Sequence, residues 1–235
     1  MAEKIRTGIE GLDNLLDGGL PKAHCILLAG SCGTGKTILC QQFLFTGARE
    51  YNDSGVYISL SESRDKMVGY LEQFEFFDRA YIDSRLIRIV DITQDPRLMN
   101  FQPLSARTIL DIIVSVIREN NAKRVVIDSL TAICTALGDD ADIRGFIFEL
   151  GLQLQFLNCT TILISEVPPM SFQYSVYGIE EFITDGVILM RELENKGDLL
   201  RTLQVVKMRG AGHSRSRSIL EISTKGVELK PMFEL

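Results

Sequence analysis

The sequence predicts an α/β fold: a central, mainly parallel β-sheet flanked by helices, with antiparallel strands added in its C-terminal part. Three observations predict it. Short apolar runs alternate with segments of helical periodicity between residues 25 and 164, and strand–helix alternation folds as a parallel sheet covered on both faces. The first of these runs leads into Gly30-Ser31-Cys32-Gly33-Thr34-Gly35-Lys36-Thr37, which fits the phosphate-binding pattern G-x-x-x-x-G-K-[ST] at every fixed position. From Gly186 onward the segments read as strands joined by short turns, partly hairpins.

The elements follow in order. Residues 5–24 are punctuated by glycine and proline, with one or two helical turns at 11–16, and deliver the chain to an apolar strand at 25–29. Residues 38–50 form an amphipathic helix. Residues 55–60 are rich in β-branched and aromatic side chains and read as a second buried strand. Met67, Tyr70, Leu71 and Phe74 recur at helical spacing within 66–77. A third strand at 85–92 precedes a loop at 93–103 that holds Pro96 and Pro103. Ser105 is an N-cap for a helix to Asn120, with Ile109, Ile112, Ile113, Val116 and Ile117 as its buried stripe. Residues 125–127 and 160–164 are the fourth and fifth strands, with a helix at about 142–157 between them, and 167–177 is a polar, Pro-containing loop. Strands at 186–192, 199–208, 218–222 and 226–229 complete the chain. No internal repeat, low-complexity tract or linker interrupts it, so one domain over 1–235 is expected.

Composition narrows the function. With 235 residues, 46% hydrophobic, the chain can bury one sizeable core. A formal net charge of −6 weighs against tight, non-specific nucleic-acid binding, so a nucleic-acid partner is not expected. The five cysteines are odd in number and contain no C-x-x-C pair, which reads as free thiols in a reducing compartment. No apolar run reaches the roughly 18 residues of a membrane span. Residues 1–6 lack the apolar core of a secretory leader, and a cytoplasmic location is expected.

The glycine-rich loop is an electrostatic device. Glycines let backbone N–H groups curl around a phosphate, and the helix that follows adds its dipole and unpaired N–H groups. Gly30, Ser31, Cys32, Gly33, Thr34 and Gly35 would cradle ATP or ADP, Lys36 would neutralise the β- and γ-phosphates, and the Thr37 hydroxyl would ligate Mg²⁺. Cys32 fills a variable position and receives no task. Val125-Val126-Ile127-Asp128 is an apolar strand ending in an acid. Asp128 is the second metal ligand, or else a strand-terminal Asp capping a turn. Ser129 stands where many P-loop ATPases carry a catalytic Glu. The water-activating carboxylate must then lie elsewhere. Glu62, just beyond the second strand on the same sheet edge, is the candidate, a solvated surface Glu the alternative.

A catalytic Glu after the second strand is the RecA-type arrangement, and the chain resembles a single KaiC-type domain of the RecA superfamily. The resemblance is carried by Thr7-Gly8-Ile9-Glu10-Gly11-Leu12-Asp13, the P-loop, Tyr177-Gly178-Ile179-Glu180-Glu181-Phe182-Ile183-Thr184-Asp185-Gly186, and Lys207-Met208-Arg209-Gly210-Ala211-Gly212-His213. It implies a RecA-like P-loop NTPase fold and an ATPase that assembles into a homo-oligomeric ring, commonly a hexamer, with ATP between neighbouring subunits. KaiC itself joins two such domains. The resemblance also places His213 near the neighbour's phosphate, a solvated loop His being the other reading. Lys207 and Arg209, two apart on a strand, point to one face. The resemblance sends them across the subunit boundary to the neighbour's γ-phosphate. The plain alternative is a solvated edge strand.

There are departures from the family pattern. KaiC-type domains place two adjacent glutamates after the second strand, and this chain has Ser61-Glu62. Glu166 follows the fifth strand where recombinases tend to carry Gln, and reads as a relay or salt-bridge partner. The basic cluster Arg209, His213, Arg215 and Arg217 reads as phosphate or subunit contact in a ring, with a nucleic-acid patch as the alternative. Phe74-Glu75-Phe76-Phe77 reads as core or subunit packing. The functional expectation is a Mg²⁺-dependent ATPase ring with a switch or signalling role. Its alternatives are a nucleotide-binding scaffold with negligible turnover, a DNA-acting recombinase paralogue, and an autokinase.

Overall fold

The computed structural model describes residues 3–99, 105–169, 171 and 173–232. A two-stranded antiparallel ribbon, β1 (Lys4–Ile5) with β2 (Leu20–Pro21), encloses a one-turn helix, α1 (Leu12–Leu15). β3 (Cys25–Gly30) feeds the glycine-rich loop and α2 (Lys36–Tyr51). Then come β4 (Gly55–Ser59), α3 (Arg64–Leu71), α4 (Arg79–Asp83) and β5 (Ile87–Asp91). A 3-10 turn at Ile92–Gln94 and α5 (Pro96–Met99) lead to α6 (Ala106–Glu119), β6 (Arg124–Asp128), α7 (Leu130–Leu137), α8 (Asp140–Leu157) and β7 (Thr160–Glu166). α9 (Glu180–Ile183) precedes β8 (Gly186–Asn195), β9 (Asp198–Met208), β10 (Arg217–Ser223) and β11 (Gly226–Pro231).

Nine strands form one sheet in the order β11-β10-β9-β8-β3-β7-β6-β4-β5. From β8 to β5 all neighbours are parallel, and β8 to β11 form an antiparallel extension. The expected fold class is the one observed. Because the parallel strands are covered on both faces, their sequences are continuously apolar rather than alternating. Alternate residues serve opposite layers. Ile26, Leu28, Tyr57, Val126 and Ile162 pack with Leu39 and Phe43 of α2. Leu27, Val56, Ile58, Val125 and Leu163 pack with Ile109, Ile113 and Ile117 of α6 and with Ile147 and Leu150 of α8.

Several boundaries depart from expectation for identifiable reasons. The helix expected over 66–77 stops at Leu71. Beyond it the chain folds back: Glu75 N–H donates to Thr224 O, and Phe76 is buried against Phe45 with ring centroids 6.1 Å apart. The phenylalanine cluster is thus partly core, as one of its two readings held. Asp78 caps the unforeseen α4 through Ala80 N–H, and Ser129 caps the unforeseen α7 through Ala132 N–H. Within the expected loop at 93–103, Pro96 opens α5, a position where its missing N–H costs nothing. Residues 100–103 of that loop, including Pro103, lie outside the described residues, as do residues 170 and 172 of the loop at 167–177. Arg85, expected to open the third strand, has φ 62° and belongs to the turn before β5.

Candidate functional site

The glycine-rich loop leaves β3 at the C-terminal edge of the parallel strands. Gly35 has φ 94°, and a Cβ there would sit 2.7 Å from Ile222 Cδ1, so the turn into α2 admits only glycine. Thr34, fully buried, donates its hydroxyl to Ser31 O at 2.8 Å and tightens the loop. Lys36, the first residue of α2, is 6% exposed. Its Nζ donates to Gly30 O at 2.9 Å and Ser31 O at 2.8 Å, so the amine is held by carbonyls of its own loop. Burial pushes the Lys36 pKa down, opposed first by the Glu166 charge and then by that of Asp128. Cys32 is exposed at the loop tip.

Two motifs far apart in sequence meet here. Thr37 Oγ1 donates to Asp128 Oδ2 at 3.0 Å, across 91 residues. A hydroxyl and a carboxylate are hard oxygen donors suited to Mg²⁺, which is normally held by one or two such groups together with substrate phosphates. Among the described residues no group of three or more His, Cys, Asp or Glu could hold a metal by itself, so this pair would depend on phosphate oxygens to complete a Mg²⁺ shell. The peptide bond from Asp128 to Ser129 is cis.

Glu62 lies beyond β4, whose Ser59 is in register with Asp128. Ser59 Oγ holds the Glu62 backbone, donating to Glu62 O at 2.8 Å and accepting from Glu62 N–H at 3.0 Å. The Glu62 carboxylate pairs with Lys66 Nζ at 3.1 Å, one helical turn on. No hydrogen bond among the described residues joins it to the loop. Glu166 ends β7 in register with Gly30 and is exposed. Its charge supports the Lys36 ammonium.

The late cationic block sits elsewhere. β9 runs antiparallel to β8, so Lys207 pairs with Val187 and Met208 with Gly186, at the N-terminal edge of the parallel strands. Gly30 pairs with Met190. Lys207 is therefore three residues of strand, roughly 10 Å, below the start of the loop. It also points away, since its Nζ donates to Glu181 O and Thr184 O at 2.8 Å each. Arg209 Nη2 donates to Phe182 O at 3.0 Å, and its Nη1 lies 3.9 Å from Asp185 Oδ1. Both cations thus cap the carbonyl end of α9, a partner that neither sequence reading named. Burial, and then the Arg209 charge, lower the Lys207 pKa. His213 lies beside α1, where Ser214 N–H donates to Leu15 O at 2.7 Å, and its Nε2 is buried without a partner among the described residues. One chain therefore brings together the loop, Thr37 and Asp128, and keeps Lys207, Arg209 and His213 apart from them.

Two residues escaped the sequence reading. Arg201 Nε donates to Gly33 O at 2.9 Å, and Arg201 faces Glu192 across the β8–β9 hairpin. This contact spans 168 residues and depends on strand register, so nothing local signals it. Tyr57 is fully buried and donates its hydroxyl to Asp128 Oδ2. A tyrosine buried between Val56 and Ile58 needs a polar partner for its hydroxyl, and that was a usable signal.

The family profile described as "ATPase: KaiC" matches residues 5–234. The circadian clock oscillator protein KaiC of Nostoc sp. is 34% identical over 234 residues, covering 98% of this chain and 44% of that protein. The chain thus spans less than half the length of that relative. A UPF0273 protein of Thermotoga maritima is 33% identical over 239 residues, covering 98% of this chain and 97% of that one. The crystal structure of the KaiC-like protein PH0186 from Pyrococcus horikoshii OT3 superposes with a TM-score of 0.88 at 34% identity, covering 98% of this chain and all of that one. With a profile spanning nearly every residue, a full-length relative above 30% identity and the same fold, the chain belongs to the KaiC family of ATPases.

Proposed function

We propose that this protein is a Mg²⁺-dependent ATPase that works as a homo-oligomeric ring, a hexamer by family resemblance, with each nucleotide bound between two subunits. The observation that carries the reading is the Thr37–Asp128 contact beneath a complete phosphate-binding loop. Residues 30–37 cradle the phosphates of ATP, and Lys36 exchanges its two carbonyl partners for phosphate oxygens. Thr37 and Asp128 hold Mg²⁺, which when bound neutralises phosphate charge. Glu62 accepts a proton from the attacking water. Lys207, Arg209 and His213 act on the neighbouring subunit's nucleotide, because within one chain they lie at the opposite edge of the sheet. Residues 1–235 act as one domain, cytoplasmic, with a switch or signalling role.

A second reading, a nucleotide-held scaffold with negligible turnover, draws support from Ser61, which stands where the family pattern has a second glutamate, and from the pairing of Glu62 with Lys66. Steady-state phosphate release with and without Mg²⁺, run beside native mass with and without ATP, separates the two. Oligomer formation with ATP but no Mg²⁺-dependent phosphate release selects the scaffold. A monomer under all conditions defeats the shared site.

A further inference from the structure

β4 offers two polar side chains on one face, Tyr57 and Ser59, and both engage the candidate site. Ser59 Oγ fixes the backbone at Glu62, while Leu60 N–H donates to Asp128 O at 3.0 Å. The Tyr57 hydroxyl donates to Asp128 Oδ2, the same oxygen that accepts Thr37 Oγ1. Among the described residues Oδ1 receives no hydrogen bond, and Asp128 is 8% exposed. One carboxylate oxygen is thus pinned from two sides and the other is left clear. The terminal torsion of an aspartate is broad, so a lone Asp at a strand end would present either oxygen in a range of directions.

We infer that Tyr57 is a positioning residue, setting the orientation of the Asp128 carboxylate for the divalent cation. The inference rests on the metal role proposed above for Asp128. Metal-ligating carboxylates are oriented by outer hydrogen bonds, and loss of such a partner lowers metal affinity by about 10- to 100-fold. The aromatic ring alone would serve packing, since Tyr57 pairs in register with Val126 and Ile89 in an aliphatic layer. The hydroxyl adds nothing to that layer and acts only on the carboxylate.

The test is a Mn²⁺ titration of the ADP-bound protein followed by electron paramagnetic resonance, with metal-free ADP binding measured by calorimetry. Tyr57→Phe keeps the ring and removes the hydroxyl. It should weaken Mn²⁺ binding by about 10- to 100-fold and leave metal-free ADP affinity unchanged. Val126→Ala, a core truncation beside it, controls for lost stability and should leave Mn²⁺ affinity alone. Asp128→Asn separates this inference from the reading beneath it. If Asp128→Asn weakens Mn²⁺ binding and Tyr57→Phe does not, the hydroxyl is only a satisfied core group and the inference fails. If neither change matters, the metal role of Asp128 fails. If Tyr57→Phe and Val126→Ala weaken Mn²⁺ binding equally, the effect is general destabilisation and the inference is again overturned.

Discussion

The two edges of the central sheet each hold a buried cation, and they hold it differently. At the C-terminal edge Lys36, 6% exposed, is bound by two carbonyls of its own loop. At the N-terminal edge Arg124, fully buried, opens β6 and donates from Nε to Asp53 Oδ2 at 3.0 Å, with the carbonyls of Arg6 and Phe43 on Nη1. Burial lowers the pKa of both. Their partners differ in charge. A carbonyl can be exchanged for a phosphate oxygen without leaving a bare ion behind, whereas taking a guanidinium from Asp53 strands a buried carboxylate. Lys207 and Arg209 lie at the same edge as Arg124 but are bound mainly by carbonyls, as Lys36 is. The partner's charge, more than burial or location, separates cations held mainly by exchangeable carbonyls from the one committed to a buried carboxylate.

If that distinction holds, the largest effect belongs to Arg209→Ala. An arginine acting on a neighbour's phosphate contributes on the order of 10³–10⁵ in rate, about 4–7 kcal/mol of barrier. ATP binding to the loop should stay nearly intact while phosphate release collapses. Mixing this variant with Lys36→Ala should restore some activity, because a mixed pair joins an intact loop to an intact arginine. No recovery in confirmed mixed oligomers would mean that Arg209 stays with α9 and that the site is not completed in trans.

Glu62→Gln comes next. The carboxamide retains shape and hydrogen bonding but cannot take a proton, so turnover should fall by about 10²–10⁴-fold with ATP binding retained. Phosphate release at the parent rate would show that the ion pair with Lys66 is the whole role of Glu62.

How much of this was legible in the sequence follows from how local each signal is. The P-loop lies within eight consecutive residues, 30–37, and the apolar strands are contiguous runs, so both could be read directly. Asp128 was legible because an acid ending an apolar strand is itself a local pattern. α7 and α4 were missed although their caps, Ser129 and Asp78, were in view, because short helices carry little periodicity. The Arg201–Gly33 contact and the α9 carbonyls that hold Lys207 depend on strand register and on a helix of only four residues. The spacing of Lys207 and Arg209 suggested a shared face. Nothing in it revealed that the face meets a helix end.

Arg124→Met probes the opposite half of the comparison. Removing one member of a buried ion pair costs about 3–5 kcal/mol. The lower end is expected here, because Lys123 Nζ remains 3.3 Å from Asp53 Oδ1. Denaturant unfolding would measure the loss. The combined change Asp53→Leu and Arg124→Met should recover part of it, since no bare carboxylate then remains. ATP affinity of the folded variant should be unchanged. A folded Arg124→Met protein with impaired ATP binding would show that this cation also serves the ligand.

The smallest effect concerns Lys207. Burial first, and the like charge of Arg209 second, lower its pKa from 10.5, against the attraction of Asp185 and Glu181. Folding therefore favours the neutral amine. Below the depressed value the folded and unfolded chains both carry the proton, and the full burial penalty is present. As pH rises from that value toward 10.5, the unfolded chain keeps its proton while the folded chain gives it up, so this group's contribution to stability increases with pH. Over the same window the protein loses a cation from the face proposed to meet the neighbour's phosphate, and turnover should fall. Stability and turnover thus move in opposite directions over one titration, which a purely structural lysine would not produce. Arg209→Ala removes the like charge and should shift the titration of the Lys207 ε-carbon resonance to higher pH, with Lys207→Met identifying the signal. A resonance that titrates at the ordinary lysine value, unmoved by Arg209→Ala, would show that the two side chains are not held together on the end of α9.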